Sequence, residues 1–211
     1  MEKKDKIRKA YMEYVLENGH NPPTFYIFAK KLKMTESELY EFYTSFEAID
    51  SDLWLSFFLQ AKQTIEADPT YQGYSVREKL LSLYYTWIEI LKANRSFVMR
   101  GYQRFKQPVA KHNPAVLKAF KEAFLAFARE LVYEGRESKE VLPRPYLSGK
   151  YPDALWLNAL YILDFWAKDL SPNFEKTDTA IEKTVNTAFD LMGHSIVDSV
   201  FDLAKFVYQN R

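Results

Sequence analysis

Side chains capable of chemistry are few and scattered in this sequence. Cysteine is absent, so no thiolate nucleophile, disulfide or Cys-ligated zinc is available. The histidines, His20, His112 and His194, lie far apart and form no HExxH pattern. His194 and Asp198 have the i, i+4 spacing of a metal pair, a spacing that a surface hydrogen bond shares and fits better. No glycine cluster cradles a phosphate, and there is no Walker loop, nucleophile elbow or dinucleotide fingerprint. These absences speak against catalysis, and the reading calls for no metal and no cofactor.

The residues offer binding chemistry instead. One group of cations, Lys3, Lys4, Lys6, Arg8 and Lys9, and a second, Lys30, Lys31 and Lys33, flank an acidic segment with Glu36, Glu38 and Glu41. Cations meeting phosphates supply most sequence-independent DNA affinity. A carboxylate accepts from cytosine N4, so Glu36 or Glu38 has a base-reading role open to it. The alternative is that these carboxylates favour a helix N-terminus electrostatically, and for Glu38 that capping role is preferred. A second resource is aromatic: 17% of the 211 residues are Phe, Trp or Tyr. Trp54, Phe58, Tyr84, Trp87, Phe97, Tyr102, Phe105, Phe120, Phe124 and Phe127 recur at core-like spacing. Each ring taken alone reads as core. Together they outline an apolar pocket for a hydrophobic or aromatic small molecule.

The elements that must carry these residues are helical. Strand-like alternation is missing, and apolar spacing of three and four residues recurs throughout. The fold class is all-α, with about nine helices. The first runs from Lys3 to Asn18 and stops at Gly19. The second, Thr24 to Leu32, has Thr24 as N-cap. Thr35 to Glu38 forms a capping box that opens a short third helix. Ser45 caps a fourth that reaches Ala67, ahead of Asp68-Pro69. Ser75 to Glu78 is a second capping box and opens a helix to Ala93; Ser96 starts a shorter one ending near Pro108. Asn113-Pro114 opens a long helix that Gly135 ends or frays. A loop from Glu137 to Lys150 precedes helices over Pro152 to Leu170 and Asp178 to Tyr208, the latter bent near Gly193.

Three short helices in about fifty residues form a helix-turn-helix arrangement. Ala29, Leu32 and Leu39 make its small core, and Lys33-Met34 its turn. We divide the chain at residue 50 into a DNA-binding head, 1–50, and a ligand-binding and dimerisation domain, 51–211.

In this segment the sequence resembles the TetR family of transcriptional regulators. The resemblance runs through Ile7, Ala10, Gly19, Thr24, Ile27, Ala29, Met34, Thr35, Leu39, Tyr40, Tyr43 and Ser45. Later, Phe165 to Asn186 looks like a stretch of one subgroup of TetR-like effector domains. The resemblance implies that Thr24, Tyr40 and Tyr43 meet phosphates and that the start of the third helix faces base edges. The DNA-binding set is then Thr24, Lys30, Lys33, Thr35, Glu36, Ser37, Tyr40 and Tyr43. It also implies an inducer pocket in the second domain.

Two helices carry apolar residues on more sides than one core can cover. Trp156, Leu160, Leu163, Ile181, Val185, Phe189, Ile196 and Val200 are accordingly expected at a homodimer interface built as a four-helix bundle. An intrachain pair accounts for the same pattern. Asn158 and Asp164, inside the first of these helices, hydrogen-bond across that interface or mark the pocket.

The expected function is a ligand-responsive, homodimeric transcriptional regulator, a repressor, on double-stranded DNA with a palindromic operator. The alternative is a protein of the same fold that carries a lipid-like molecule and has lost DNA binding. The densest apolar window, Ala154 to Ala167, falls short of the roughly 20 residues needed to cross a bilayer, so no membrane insertion is expected. With no signal peptide visible and no cysteine, the expected location is cytoplasmic.

Overall fold

A computed structural model describes residues 2–105, 115–145 and 147–193. Among the described residues there are nine α-helices and no strand. Helix α1 (Glu2–Asn18) presents Ile7, Tyr11 and Val15, all at most 1% exposed, on one face. Gly19 ends it with φ 72° and an N–H bonded to the Val15 carbonyl at 2.9 Å. In α2 (Phe25–Lys31) the Thr24 hydroxyl accepts from the Ile27 N–H at 3.2 Å. In α3 (Glu36–Tyr40) both halves of the capping box are formed by Thr35 and Glu38. Ser45 likewise accepts from the Ala48 N–H at the start of α4 (Phe46–Glu66).

Helix α5 (Val76–Ala93) opens on the second capping box, with the Ser75 N–H donating to Glu78 at 2.8 Å. It is followed by α6 (Arg95–Phe105) and α7 (Lys118–Glu137). The Asn113-Pro114 start lies outside the described residues. Gly135 neither ends nor frays α7, because the helix continues through it to Glu137. Its role is close approach: a Cβ there would lie 2.7 Å from Val141 Cγ2 and 3.1 Å from Val76 Cγ2.

Helix α8 (Tyr151–Lys168) stops at Asp169, whose carboxylate then organises the start of α9 (Glu175–Met192). One oxygen accepts from the Ser171 N–H at 2.8 Å and its hydroxyl at 2.7 Å, the other from the Thr177 N–H at 2.9 Å and its hydroxyl at 2.7 Å. At the far end α9 reaches Met192 with Gly193 as an extended C-cap; the expected continuation to Tyr208 lies outside the described residues. There Arg144 donates to the Leu191 carbonyl at 2.5 Å and the Gly193 carbonyl at 2.6 Å, placing a cation on the helix C-terminus.

The described residues of Met1–Gln60 and Glu89–Glu122 form one compact unit, and those of Ala61–Ile88 and Ala123–Arg211 a second. The first unit is thus larger than residues 1–50: it adds α6 and parts of α4, α5 and α7. Among the described residues no helix is long and apolar enough to cross a membrane.

Candidate nucleic-acid interface

The head is closed by Phe28, Ala29, Leu32 and Leu39, each 0 to 4% exposed, packed with the buried face of α1. Phe28 takes a fully buried position, while Ile27 beside it is 44% exposed. The turn between α2 and α3 has the Schellman pattern: Met34 N–H bonds the Ala29 carbonyl at 3.0 Å, and Lys33 N–H the Lys30 carbonyl at 3.1 Å. Lys33 holds the left-handed position, φ 57°, that glycine usually fills. The turn therefore aims a cation outward at some cost in backbone strain.

Of the sequence-derived DNA-binding residues, Thr24, Lys30, Lys33, Thr35, Ser37 and Tyr40 are exposed and Glu36 is half-buried. Tyr40 stacks on Phe25 with ring centroids 5.0 Å apart. Lys31 is engaged: its ammonium pairs with Glu17 at 3.2 Å and sits 5.1 Å over the Tyr14 ring. Glu38 accepts from the Thr35 N–H at 2.7 Å and its hydroxyl at 2.9 Å, and these bonds hold its carboxyl below the usual range. Its carboxylate is thus committed to capping.

Tyr43 differs in kind. It is 4% exposed, and its hydroxyl donates to Asp52 of α4 at 2.5 Å. Arg8 of α1 donates to the same oxygen at 3.1 Å and also pairs with Asp5. Burial first, then the bond to Asp52, raises the Tyr43 phenol well above its ordinary value. The sequence reading missed Arg8 and Asp52 as partners, since their pairing spans 44 residues. Asn21 was missed too; its side-chain oxygen accepts from Tyr11 at 3.1 Å and from Arg100 of α6 at 3.2 Å.

The aromatic set divides between the two units. In the first, Trp54, Phe58, Phe97, Tyr102 and Phe120 are all buried. Phe58 meets Phe120 at 5.4 Å, and Gly101 lets the Trp54 ring approach, a Cβ there lying 3.3 Å from it. In the second unit Tyr84, Trp87, Phe124 and Phe127 are buried; Phe124 meets Trp156 at 5.6 Å, and the Tyr84 hydroxyl donates to the Leu155 carbonyl at 3.1 Å. The side chain of Phe105 lies outside the described residues.

Trp156, Leu163, Ile181, Val185 and Phe189 are at most 3% exposed within the single chain, where α8 packs on α9, and Leu160 is half-buried. Ile196 and Val200, like His194 and Asp198, lie outside the described residues. The apolar side chains that remain exposed on these helices and the turn after α8 are others: Leu157 (64%), Tyr161 (48%), Leu170 (94%) and Leu191 (52%). Tyr161, Phe165, Leu170 and Pro172 line an open groove of about 710 Å³ that also carries the paired Asp164 and Lys168. A buried side-chain oxygen of Asn158 has no hydrogen-bond partner among the described residues.

A helix-turn-helix head followed by an all-helical remainder is the class of protein this fold defines. The profile of the tetracyclin repressor-like C-terminal domain matches residues 79–207, more than half of the chain, and the chain belongs to the TetR family of transcriptional regulators. Among solved structures, a proposed TetR family transcription regulator from Shewanella sp. PV-4 is 16% identical with a TM-score of 0.60, over 91% of this chain and 98% of its own. A protein of unknown function from Rhodococcus sp. RHA1 is 14% identical with a TM-score of 0.58, over 90% and 95% respectively. At these identities the two share the fold. No curated protein sequence matches the chain.

Proposed function

We propose that the protein is a ligand-responsive, homodimeric transcriptional repressor that binds a palindromic operator through Thr24, Lys30, Lys33, Thr35, Glu36, Ser37 and Tyr40. The observation that carries this reading is the α2–α3 turn: a closed Schellman cap holding Lys33 outward, with Lys30 exposed one turn earlier and the Thr35 cap opening α3. Exposed cations beside a helix that opens toward solvent suit phosphates flanking a major groove. Tyr43 contributes by supporting the head from within.

The homodimer reading is supported by the exposed apolar side chains of α8 and α9, with Leu157, Tyr161 and Leu191 in contact rather than the buried set around Trp156. The pocket for a hydrophobic or aromatic molecule is assigned to the aromatic-rich helices after residue 50, and the ligand acts by binding two head spacings unequally. The acidic third helix, with Glu36 and Glu41 and no cation between 35 and 45, favours the second reading, a lipid-like carrier that has lost DNA binding.

The experiment is binding to DNA from around the protein's own gene across a salt series. A sequence-dependent complex is expected, with log affinity falling linearly in log salt. Lys30→Ala with Lys33→Ala removes two phosphate contacts and is expected to lower that slope by about 1.8. Affinity no better than for random DNA, with no effect of the double substitution, overturns the repressor reading in favour of the carrier.

A further inference from the structure

One carboxylate oxygen of Asp52 joins three parts of the head. It accepts from Tyr43, which follows α3, at 2.5 Å, and from Arg8 on α1 at 3.1 Å, and it stands on α4. The neighbourhood reinforces the arrangement: Asp5 takes the other end of the Arg8 guanidinium, and the Lys4 ammonium lies 5.3 Å over the Tyr43 ring. The side chains of Arg8 and Asp52 are only 19% and 20% exposed, so water competes weakly for the site.

The geometry makes this contact sensitive to the roll of α4. A helix side chain ends roughly 5 to 6 Å from the helix axis. Rolling α4 by about 20° therefore carries the Asp52 carboxylate about 2 Å along an arc. That distance is enough to break both bonds, since a donor beyond about 3.5 Å no longer counts as hydrogen-bonded. Either the bonds break or α1 and the end of α3 follow the roll.

We propose that Asp52 is a positioning residue for DNA recognition, holding the basic arm of α1 and the reading helix α3 in one fixed relation to α4 through Arg8 and Tyr43. The role rests on the DNA-binding reading above. It explains why a tyrosine stands at 43 with its hydroxyl turned inward: the ring fills core, and the hydroxyl ties that core to Asp52 of α4.

The test uses the full chain with Asp52→Asn, Tyr43→Phe and the double variant. Tyr43→Phe keeps the ring and changes no charge, so it guards against a variant that fails to fold. Affinity is measured for a duplex from around the protein's own gene and for a random duplex of equal length, and hydrogen exchange is followed over residues 33–42 without DNA. Tyr43→Phe, which loses one hydrogen bond to a charged group, is expected to lower the ratio of specific to random affinity about tenfold, and Asp52→Asn, which weakens both bonds, at least as much. The double variant should cost no more than the larger single effect, because both act through one oxygen. Exchange over 33–42 should quicken in all three. An unchanged ratio beside an intact wild-type specific complex overturns the role of Asp52 alone. So does an Asp52→Asn variant that binds both duplexes more tightly in equal measure, which would make Asp52 only a charge opposing phosphate. A wild-type protein with no specific complex overturns the DNA-binding reading itself, and this role with it.

Discussion

Substituting Gly135 by alanine sets two well-characterised effects against each other. In the last turn of α7, alanine is favoured over glycine by up to about 1 kcal/mol, because less backbone entropy is lost on folding. The new methyl, however, would stand 2.7 Å from Val141 Cγ2 and 3.1 Å from Val76 Cγ2, where carbon atoms pack comfortably at about 3.5 to 4.0 Å. Neither valine can easily retreat. Both are 1% exposed, valine is stiff about χ1, and the Val141 N–H is bonded to the Gly135 carbonyl at 2.8 Å. Overpacking of this kind costs about 1 to 3 kcal/mol, so the clash wins and the net loss is about 1 kcal/mol. Thermal unfolding followed by circular dichroism should show a midpoint lower by about 2 to 4 °C for a chain of this size. The decisive comparison is with Val141→Ala, which removes the nearer colliding methyl and leaves the milder contact with Val76 Cγ2 at 3.1 Å. In that background the cost of Gly135→Ala should fall to about zero, giving a coupling of about 1 kcal/mol between the two sites. A raised midpoint for Gly135→Ala alone, or strictly additive effects, would refute the close-approach account of this glycine.

Four further outcomes are expected. Lys33→Gly should stabilise the head by about 1 kcal/mol in urea unfolding by relieving the left-handed backbone, while weakening DNA binding through the lost cation. Asp169→Asn should destabilise the chain by roughly 1 to 2 kcal/mol at neutral pH, since its carboxylate caps α9. Burial pushes the Asp169 carboxyl up, but bonds from Ser171 and Thr177 outweigh it and bring it to about 2; its contribution is therefore full above about pH 4 and lost as pH falls toward 2, so the gap between the melting curves of wild type and Asp169→Asn should close over that range. Leu157→Glu with Tyr161→Glu should convert the proposed homodimer to monomers in light scattering while leaving the helical content unchanged, because both side chains are exposed in the single chain. Glu38→Gln should weaken the α3 cap without altering which base pairs an operator requires, as judged by selection from random DNA.

The local signals were readable because they are written in short-range chemistry. Thr24, Thr35, Ser45 and Ser75 each cap a helix through a bond to a residue three positions on, so spacing alone reveals them. The head was legible for the same reason: Ala29, Leu32 and Leu39 are forced inward by a turn only a few residues long. Gly135 was misread because a glycine near the end of an apolar pattern has two uses, as a left-handed stop or as a gap for a neighbour. Only the position of Val141, brought over by the following loop, decides between them. The Arg8–Asp52–Tyr43 cluster was invisible for a related reason, since charges on separate helices carry no mark of their partner.

Helix α8 marks the limit of sequence reading most sharply. Trp156 and Leu157 are neighbours of similar hydrophobicity, yet one is 2% exposed and the other 64%. On a helix that is apolar around most of its circumference, periodicity identifies no preferred face, so the residues closest to α9 and those facing outward score alike. Burial against the rest of the chain is what separates them: the face with Trp156, Leu163 and Trp166 is covered, Trp156 by Phe124 of α7 and Trp166 by Phe174. The outward face keeps Leu157 and Tyr161 together with the ion pair of Asp164 and Lys168. Within one chain that combination contributes little, since the apolar groups stay in water and an ion pair at the surface adds little stability. In the homodimer proposed above, isologous contact would let the apolar groups cover their counterparts. Charges set among them would disfavour other registers, so this face of α8 would specify a partner as well as bind it.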